Sequence, residues 1–250
     1  MKNILRAMTS FLAVGVLSAG LAAQTASARY DSDIQTRVTQ QLAKKQEFRS
    51  LQATTEDGIV TLSGTVDLYQ QKLDAAKKMR KLDQVQGVRN LIAVRSSAPD
   101  AEVQAKLERK LHYDRMGYDN EFNFVDVSVK NGEATLTGAT RSDVGRDSAL
   151  SIANTMPGVN DVVDNIKVLP VSGFDDRIRI SAVRAIYRDP ALGRYASDPA
   201  KPIRIVVDNG KLSLYGTVAT AMDKQIAGMR ANQVFGVFSV QNNLEVVKGS

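Results

Sequence analysis

The sequence predicts an α+β protein of three tandem αββαβ units, each a small mixed three-stranded sheet with two helices on one face, behind an N-terminal export signal. Three observations carry this reading. The phrase Asp57-Gly58-Ile59-Val60-Thr61-Leu62-Ser63-Gly64 returns as Asn131-Gly132-Glu133-Ala134-Thr135-Leu136-Thr137-Gly138, and again as Asn209-Gly210-Lys211-Leu212-Ser213-Leu214-Tyr215-Gly216. Each copy then continues without a gap, at one shared spacing, to a closing Val94, Val168 or Val246. Apolar residues at helical spacing stand before each phrase. Repetition on this scale marks an array of small units, not one catalytic pocket.

The leader, residues 1–28, has a positive start at Lys2 and Arg6, an uncharged apolar run from Phe11 to Ala23, and small residues at Ala26-Ser27-Ala28. That layout is a secretory signal peptide cleaved after Ala28. The apolar run is shorter than the ~20 residues a membrane span needs. The units are read at residues 30–96, 100–169 and 175–248. The first helix of each buries Ile34, Val38 and Leu42, then Val103, Leu107 and Leu111, then Ile178, Ala182 and Ile186. Asp33, Asp100 and Asp176 are expected to open these helices, where a carboxylate meets free amides and the positive end of the helix dipole.

The first strand alternates, with Leu51 and Ala53, Val125, Val127 and Val129, and Ile203, Ile205 and Val207 on one face. Asp-Gly or Asn-Gly then predicts a type I′ hairpin, because both central residues need positive φ. The second strand repeats the alternation and is expected to close at Gly64, Gly138 and Gly216, where the chain turns or packs closely. The second helix carries small residues at matched positions, Ala75, Ala149 and Ala227, then Met79, Ala153 and Ala231. Such a stripe lets a helix sit close on a sheet. The last strand carries Val88, Ile92 and Val94 and their counterparts, and after a crossover helix it should run parallel to the second. Ser96-Ser97-Ala98-Pro99 and Pro170-Val171-Ser172-Gly173-Phe174 read as short linkers. Met116 to Asn123 and Asp189 to Pro202 are insertions relative to the first unit, where individual function tends to sit.

The hairpin glycines, the alanine-bearing helix and the ending Gly158-Val159…Val162…Asp164…Ile166…Val168, repeated as Gly236-Val237…Val240…Asn242…Leu244…Val246, resemble the BON domain. The first unit departs at Gln84, which stands where the others have Gly. The resemblance covers nearly all of the chain after the leader. It is similar to the osmotically inducible periplasmic group with tandem BON domains, in which two copies are commoner than three. It implies the αββαβ fold, binding of phospholipid membranes, support of the envelope under stress, and no catalysis.

The chain has 250 residues, a net charge of +6 and no cysteine. An exported chain without cysteine relies on core burial and has no thiol chemistry. The first, second and third units carry +3, −4 and +4. Basic patches suit anionic lipid or polyanions, and export disfavours nucleic acid. His112 is the single histidine and reads as a helix-end residue. One histidine without cysteine makes no usual zinc site, and no serine–histidine–acid relay is visible. The repeated glycines do not stand between strand and helix with Lys-Ser/Thr, so they form no phosphate loop. Asp114, Asp119, Glu121 and Asp126 do not match a calcium-binding EF-hand loop and read as solvated charges. No cofactor, metal or enzyme activity is implied.

The sharper candidate lies in the third unit. Arg177, Arg184 and Arg188 share one helix face, followed by Tyr187, Leu192, Arg194 and Tyr195, then Lys201 and Arg204. Arginine beside rings and aliphatic residues suits an anionic headgroup interface. Lys77, Lys78, Arg80 and Lys81 in the first unit form a solvated charged face. The expectation is a periplasmic, non-enzymatic protein docking on anionic phospholipid. The alternative is a protein-interaction scaffold or chaperone-like adaptor for another envelope component.

Overall fold

The computed structural model describes residues 18–95, 98–113, 120–197 and 202–247. It divides into two compact units. One holds the first domain as far as Ala93 except Asp67–Gln70, and the other holds Asp67–Gln70 and everything from Val94 on, including the second and third domains. The first domain comprises α1 (Ser18–Ala43), β1 (Leu51–Glu56), β2 (Ile59–Val66), α2 (Tyr69–Met79), β3 (Gly87–Asn90) and β4 (Ala93–Val94). The second comprises α3 (Asp100–Tyr113), β5 (Phe124–Lys130), β6 (Glu133–Thr140), α4 (Asp143–Asn154) and β7 (Asp161–Val168). The third comprises α5 (Gly173–Tyr187), β8 (Arg204–Asp208), β9 (Lys211–Tyr215), β10 (Thr217–Val218), α6 (Ala221–Asn232), β11 (Ser239–Asn242) and β12 (Glu245–Val246). α1 runs unbroken through Ala28, the expected cleavage point, and residues 1–17 of the leader lie outside the described residues. No helix among the described residues is long and apolar enough to cross a membrane.

The main sheet of each domain has its second strand in the middle, antiparallel to the first and parallel to the third, and β10 and β12 form a separate two-stranded parallel sheet in the third domain. The predicted core stripes are buried in every domain, from Ile34, Val38 and Leu42 to Ile178, Ala182 and Ile186. The matched small residues on the second helices are buried as well. The last strand is continuous in the second domain, β7, and broken in the first and third, β3/β4 and β11/β12.

The hairpins are type I′ in conformation. Asp57 and Gly58 have φ of 50° and 74°, Asn131 and Gly132 54° and 76°, and Asn209 and Gly210 51° and 75°. A carboxylate from the first helix region grips each turn. Asp31 accepts from the amides of Asp57 and Gly58 at 2.9 and 2.8 Å. Asp100 accepts from Asn131 and Gly132 at 2.6 and 2.9 Å, and Asp175 from Asn209 and Gly210 at 3.0 and 2.8 Å. Asp100 and Asp176 stand in the first turns of α3 and α5 as expected, whereas Asp33 is corrected, since it lies in the interior of α1. The clamps on the first and third turns are Asp31 and Asp175, while Asp176 pairs with Arg141 and Arg179. The real selection is for a bidentate acceptor aimed at two amides that an I′ turn leaves pointing outward.

A second recurrent bond ties the last strand to the second helix. Asn90 and Asn242 donate to the carbonyls of Lys72 and Lys224 at 3.0 and 2.7 Å, and Asp164 accepts from Arg146 at 2.6 Å. The glycines expected to close the second strand are crossed by it in two domains, since β2 and β6 run past Gly64 and Gly138. A Cβ at Gly138 would lie 2.1 Å from the Phe124 carbonyl oxygen, so close backbone approach is the constraint.

The second and third domains are packed as one body. Phe124 stacks on Tyr215 with ring centroids 4.0 Å apart and planes 6° apart. Arg204, 4% exposed, donates to the Asn123 carbonyl, and Phe122 packs against the third core. Arg141 lies over the Phe122 ring and binds Asp176 at 3.0 Å, while Lys167 pairs with Asp208. The described part of the first insertion, Asn120–Asn123, is therefore structural and joins the domains. Arg204 is an interface residue instead of part of an exposed basic face; Met116–Asp119 and Asp198–Lys201 lie outside the described residues.

Two stability measurements test these contacts. Asp175→Ala removes two charge-assisted bonds from a buried turn and should lower the unfolding free energy of the second–third unit by about 3 kcal/mol; an unchanged urea midpoint contradicts the clamp. Gln84 keeps a positive φ of 69° at the position the other domains give to glycine. Gln84→Gly should relieve that strain and stabilise the first domain by up to ~1 kcal/mol, less the lost bond from Arg37; a destabilised variant would show the side-chain bond dominates.

Candidate functional site on the third domain

α5 begins one residue before the predicted linker ends, because Ser172 caps it by accepting from the Asp175 amide at 3.2 Å. Its inward stripe is Ile178, Ala182 and Ile186. Its exposed positions are Gly173, Phe174, Arg177, Ile180, Ser181 and Arg184, with Arg188 at the C-cap. These hold three arginines and no acid. Arg184 and Arg188 also complement the negative end of the helix dipole. Among the described residues Arg177, Arg184 and Arg188 form no ion pair, whereas neighbouring Arg230 is bound to Asp189 at 2.8 and 2.9 Å. Arg184, Arg188, Pro190 and Arg230 line one surface depression.

The seven residues singled out in the sequence separate into two sets. Arg177, Arg184 and Arg188 stand on the exposed face as expected. Tyr187, Leu192, Arg194 and Tyr195 instead fasten the 189–202 loop to its own domain. Tyr187 donates to the Ile203 carbonyl at 2.8 Å, and burial, then the nearby Glu121 charge, pushes its phenol well above the usual range. Leu192 is wholly buried in the third core. The Tyr195 hydroxyl donates to Asp223 at 2.8 Å and accepts from the Ala219 amide at 2.7 Å, while Arg194 lies over its ring and also pairs with Asp223. Leu192 and the Tyr187 and Tyr195 rings thus pack on the core, and the ring on the arginine face is that of Phe174. Composition puts Phe174 in the linker, although its spacing of three from Arg177 is the signal that joins it to the helix.

His112 lies within α3, its side chain outside the described residues, as do Asp114 and Asp119. Among the described residues no group of three or more histidine, aspartate or glutamate side chains comes together as a metal site. Lys77, Arg80 and Lys81 are exposed, while Lys78 lies over the Phe48 ring at 5.5 Å.

The model of the BON domain matches residues 30–96, 99–170 and 190–248. The chain belongs to the BON domain family. The third match begins after α5, yet α5 supplies Ile178, Ala182 and Ile186 to the third core. The BON chain is 27% identical over 155 residues to osmotically-inducible protein Y of Escherichia coli (strain K12), covering 58% of this chain and 72% of that one. Among solved structures it is similar to CdsD, a structural protein of the type III secretion system of Chlamydia trachomatis, at 15% identity and a TM-score of 0.25, over 88% and 92% of the two chains. It is also similar to the periplasmic domain of the type III secretion inner membrane protein PrgH from S. typhimurium, at 14% identity and a TM-score of 0.20, over 80% and 95%.

Acid should loosen the loop beneath the site. Burial pushes the Asp223 carboxyl up, but hydrogen bonds from Tyr195, Thr220 and Arg194 outweigh it and hold the group below 3.8. The Ala191 amide and Arg230 likewise hold Asp189 low. A lowered folded pKa gives stability that is complete above the unfolded value and lost as pH falls through the folded one. The second–third unit should therefore lose thermal stability progressively below pH ~3.8, and Asp223→Asn should flatten that slope. An identical acid slope in the variant would show that Asp223 does not set it.

Proposed function

We propose that this BON protein is a non-enzymatic envelope protein of the periplasm whose third domain docks peripherally on anionic phospholipid and supports envelope integrity under osmotic stress. The observation that carries the reading is the outer face of α5. Three exposed arginines share it with Phe174 and Ile180, none of the three forms an ion pair among the described residues, and Asp189 in the same depression is bound to Arg230. A planar guanidinium binds phosphate oxygens in bidentate fashion, and a ring and an aliphatic side chain between such groups suit the boundary of headgroup and acyl chain. Each basic residue near an anionic surface contributes about 1 kcal/mol, and the attraction fades within a Debye length of ~8 Å at physiological salt. The predicted leader supports export, and the relative named for osmotic induction supports the stress role.

Co-sedimentation of residues 29–250 with vesicles tests this. Binding should require phosphatidylglycerol, be absent on pure phosphatidylcholine, and weaken as salt rises. Arg184→Glu with Arg188→Glu should reduce it at least tenfold, since two charge reversals at ~1 kcal/mol per charge exceed a decade. No binding at any composition would sink lipid docking and favour the protein scaffold. Unchanged binding by the double variant would move the site off α5.

A further inference from the structure

The third domain ends in three phenylalanines that its fold does not require. Phe235 is 98% exposed, Phe238 75% and Phe174 38%. Phe174 and Phe238 stack with centroids 5.8 Å apart beside the hairpin glycine Gly210, and Phe235 projects from the adjoining turn at Gly236, where φ is 89°. The sister domains supply a comparison at this position. The amides of Gln86, Asn160 and Phe238 donate to the carbonyls of Gly58, Gly132 and Gly210, each at 2.9 Å, so the three side chains hold one structural position. Gln86 and Asn160 lie over their glycines with amide side chains, and the third domain places a ring there. Three residues earlier, Asp83 and Pro157 stand where the third domain has Phe235. A position that accepts glutamine and asparagine in sister domains gains nothing in core burial from phenylalanine. An exposed aromatic cluster of this kind marks a surface that something else covers.

Its surroundings select the occupant. The tip is flanked by exposed Lys211, next to the hairpin glycine, and by Arg177, one turn along α5 from Phe174. Neighbouring carboxylates are committed, Asp175 to the turn amides, Asp176 to Arg141 and Arg179, and Asp208 to Lys167. Rings protruding from a turn, flanked by Lys211 and Arg177 and continuous through Phe174 with the arginine face, match an anionic bilayer better than an apolar groove in a protein.

Resting on the docking reading above, we propose that the Phe174, Phe235 and Phe238 tip is the element that inserts, entering the acyl boundary of an anionic bilayer while the α5 arginines hold headgroups. This fixes an orientation. Phe174 and Arg188 are separated by about 21 Å along the helix at 1.5 Å per residue, whereas interfacial insertion reaches only ~5–10 Å. α5 must then lie along the membrane surface with its N-terminal end dipped, instead of standing on it.

The chain contains no tryptophan, so a single substitution makes a site-specific reporter. Phe235→Trp in residues 29–250 should shift its emission to the blue on phosphatidylglycerol vesicles and be quenched by lipids brominated high on the acyl chain. Val144→Trp, on exposed α4 of the second domain, should show neither effect. Co-sedimentation is measured on the same samples. Binding without quenching at Phe235→Trp, or equal quenching at both positions, overturns insertion by the tip and leaves docking through charge intact. Absence of binding by the unmodified chain overturns both. A blue shift that appears with protein concentration in the absence of vesicles assigns the tip to a second copy of the chain and also overturns the proposal. Independently, Phe235→Ser with Phe238→Asn, the latter taking the second domain's own residue at that position, should lower vesicle affinity at least tenfold at a salt concentration that screens the arginines. Unchanged affinity there counts against insertion.

Discussion

The paired hydrogen bonds that two turn amides donate to one aspartate hold the hairpin of each domain. A type I′ turn forces positive φ on a non-glycine residue and points consecutive amides away from the ladder, so the hairpin carries both strain and unmet donors. Asp31, Asp100 and Asp175 answer the second by offering two carboxylate oxygens to those amides, and the bonds hold the strained residue in place. The same contact pins the first helix to the hairpin tip, at the first turn of α3 and α5 and in the interior of α1, which sets how Val38, Leu107 or Ala182 meets the sheet. In the third domain Asp175 is 1% exposed, and the rings of Phe174 and Phe238 gather beside that same turn. Architecture and proposed membrane contact therefore meet at one carboxylate.

The charge pattern follows from how the second and third domains join. Taken alone, the acidic second and basic third domains suggest two surfaces of opposite sign. In the structure the ion pairs across the junction, Arg141 with Asp176 and Lys167 with Asp208, join the minority charges of each domain and leave the acidic excess of the second and the basic excess of the third unpaired by that contact. Arg204 is buried there, and Arg194 and Arg230 are bound to Asp223 and Asp189. Among the described residues, Arg177, Arg184 and Arg188 are what α5 leaves exposed without an ion pair. A surface of that kind is defined by which charges the fold has already used, and net charge alone does not identify it.

Periodicity makes the fold readable. The buried stripes, the I′ turns, the parallel last strand and the small-residue helix contacts each follow from local chemistry written three times. The clamp is only partly legible, because Asp31 and Asp175 differ by two and one residues from the aspartates that local helix signals favour, and their partners lie 26 and 34 residues away. Tyr187, Leu192, Arg194 and Tyr195 mislead for a related reason. A loop rich in arginine and tyrosine looks like a surface, yet its rings and Leu192 close the third core and its arginine serves Asp223. The signal for Phe235 and Phe238 lies in the alignment of the copies, where rings stand in place of Asp83 and Gln86 or Pro157 and Asn160. Local periodicity does not register it, because neither ring belongs to a buried stripe.

On the proposed reading one domain of three meets the membrane, and it does so along α5. Amide signals of the isotopically labelled chain, recorded with phosphatidylglycerol nanodiscs carrying a paramagnetic headgroup label, test this most directly. Selective broadening is expected at Phe174 to Arg188 and at Phe235 to Phe238, with the first domain and α4 of the second spared. Broadening spread evenly over the three domains, or centred on Lys77 to Lys81, would refute it.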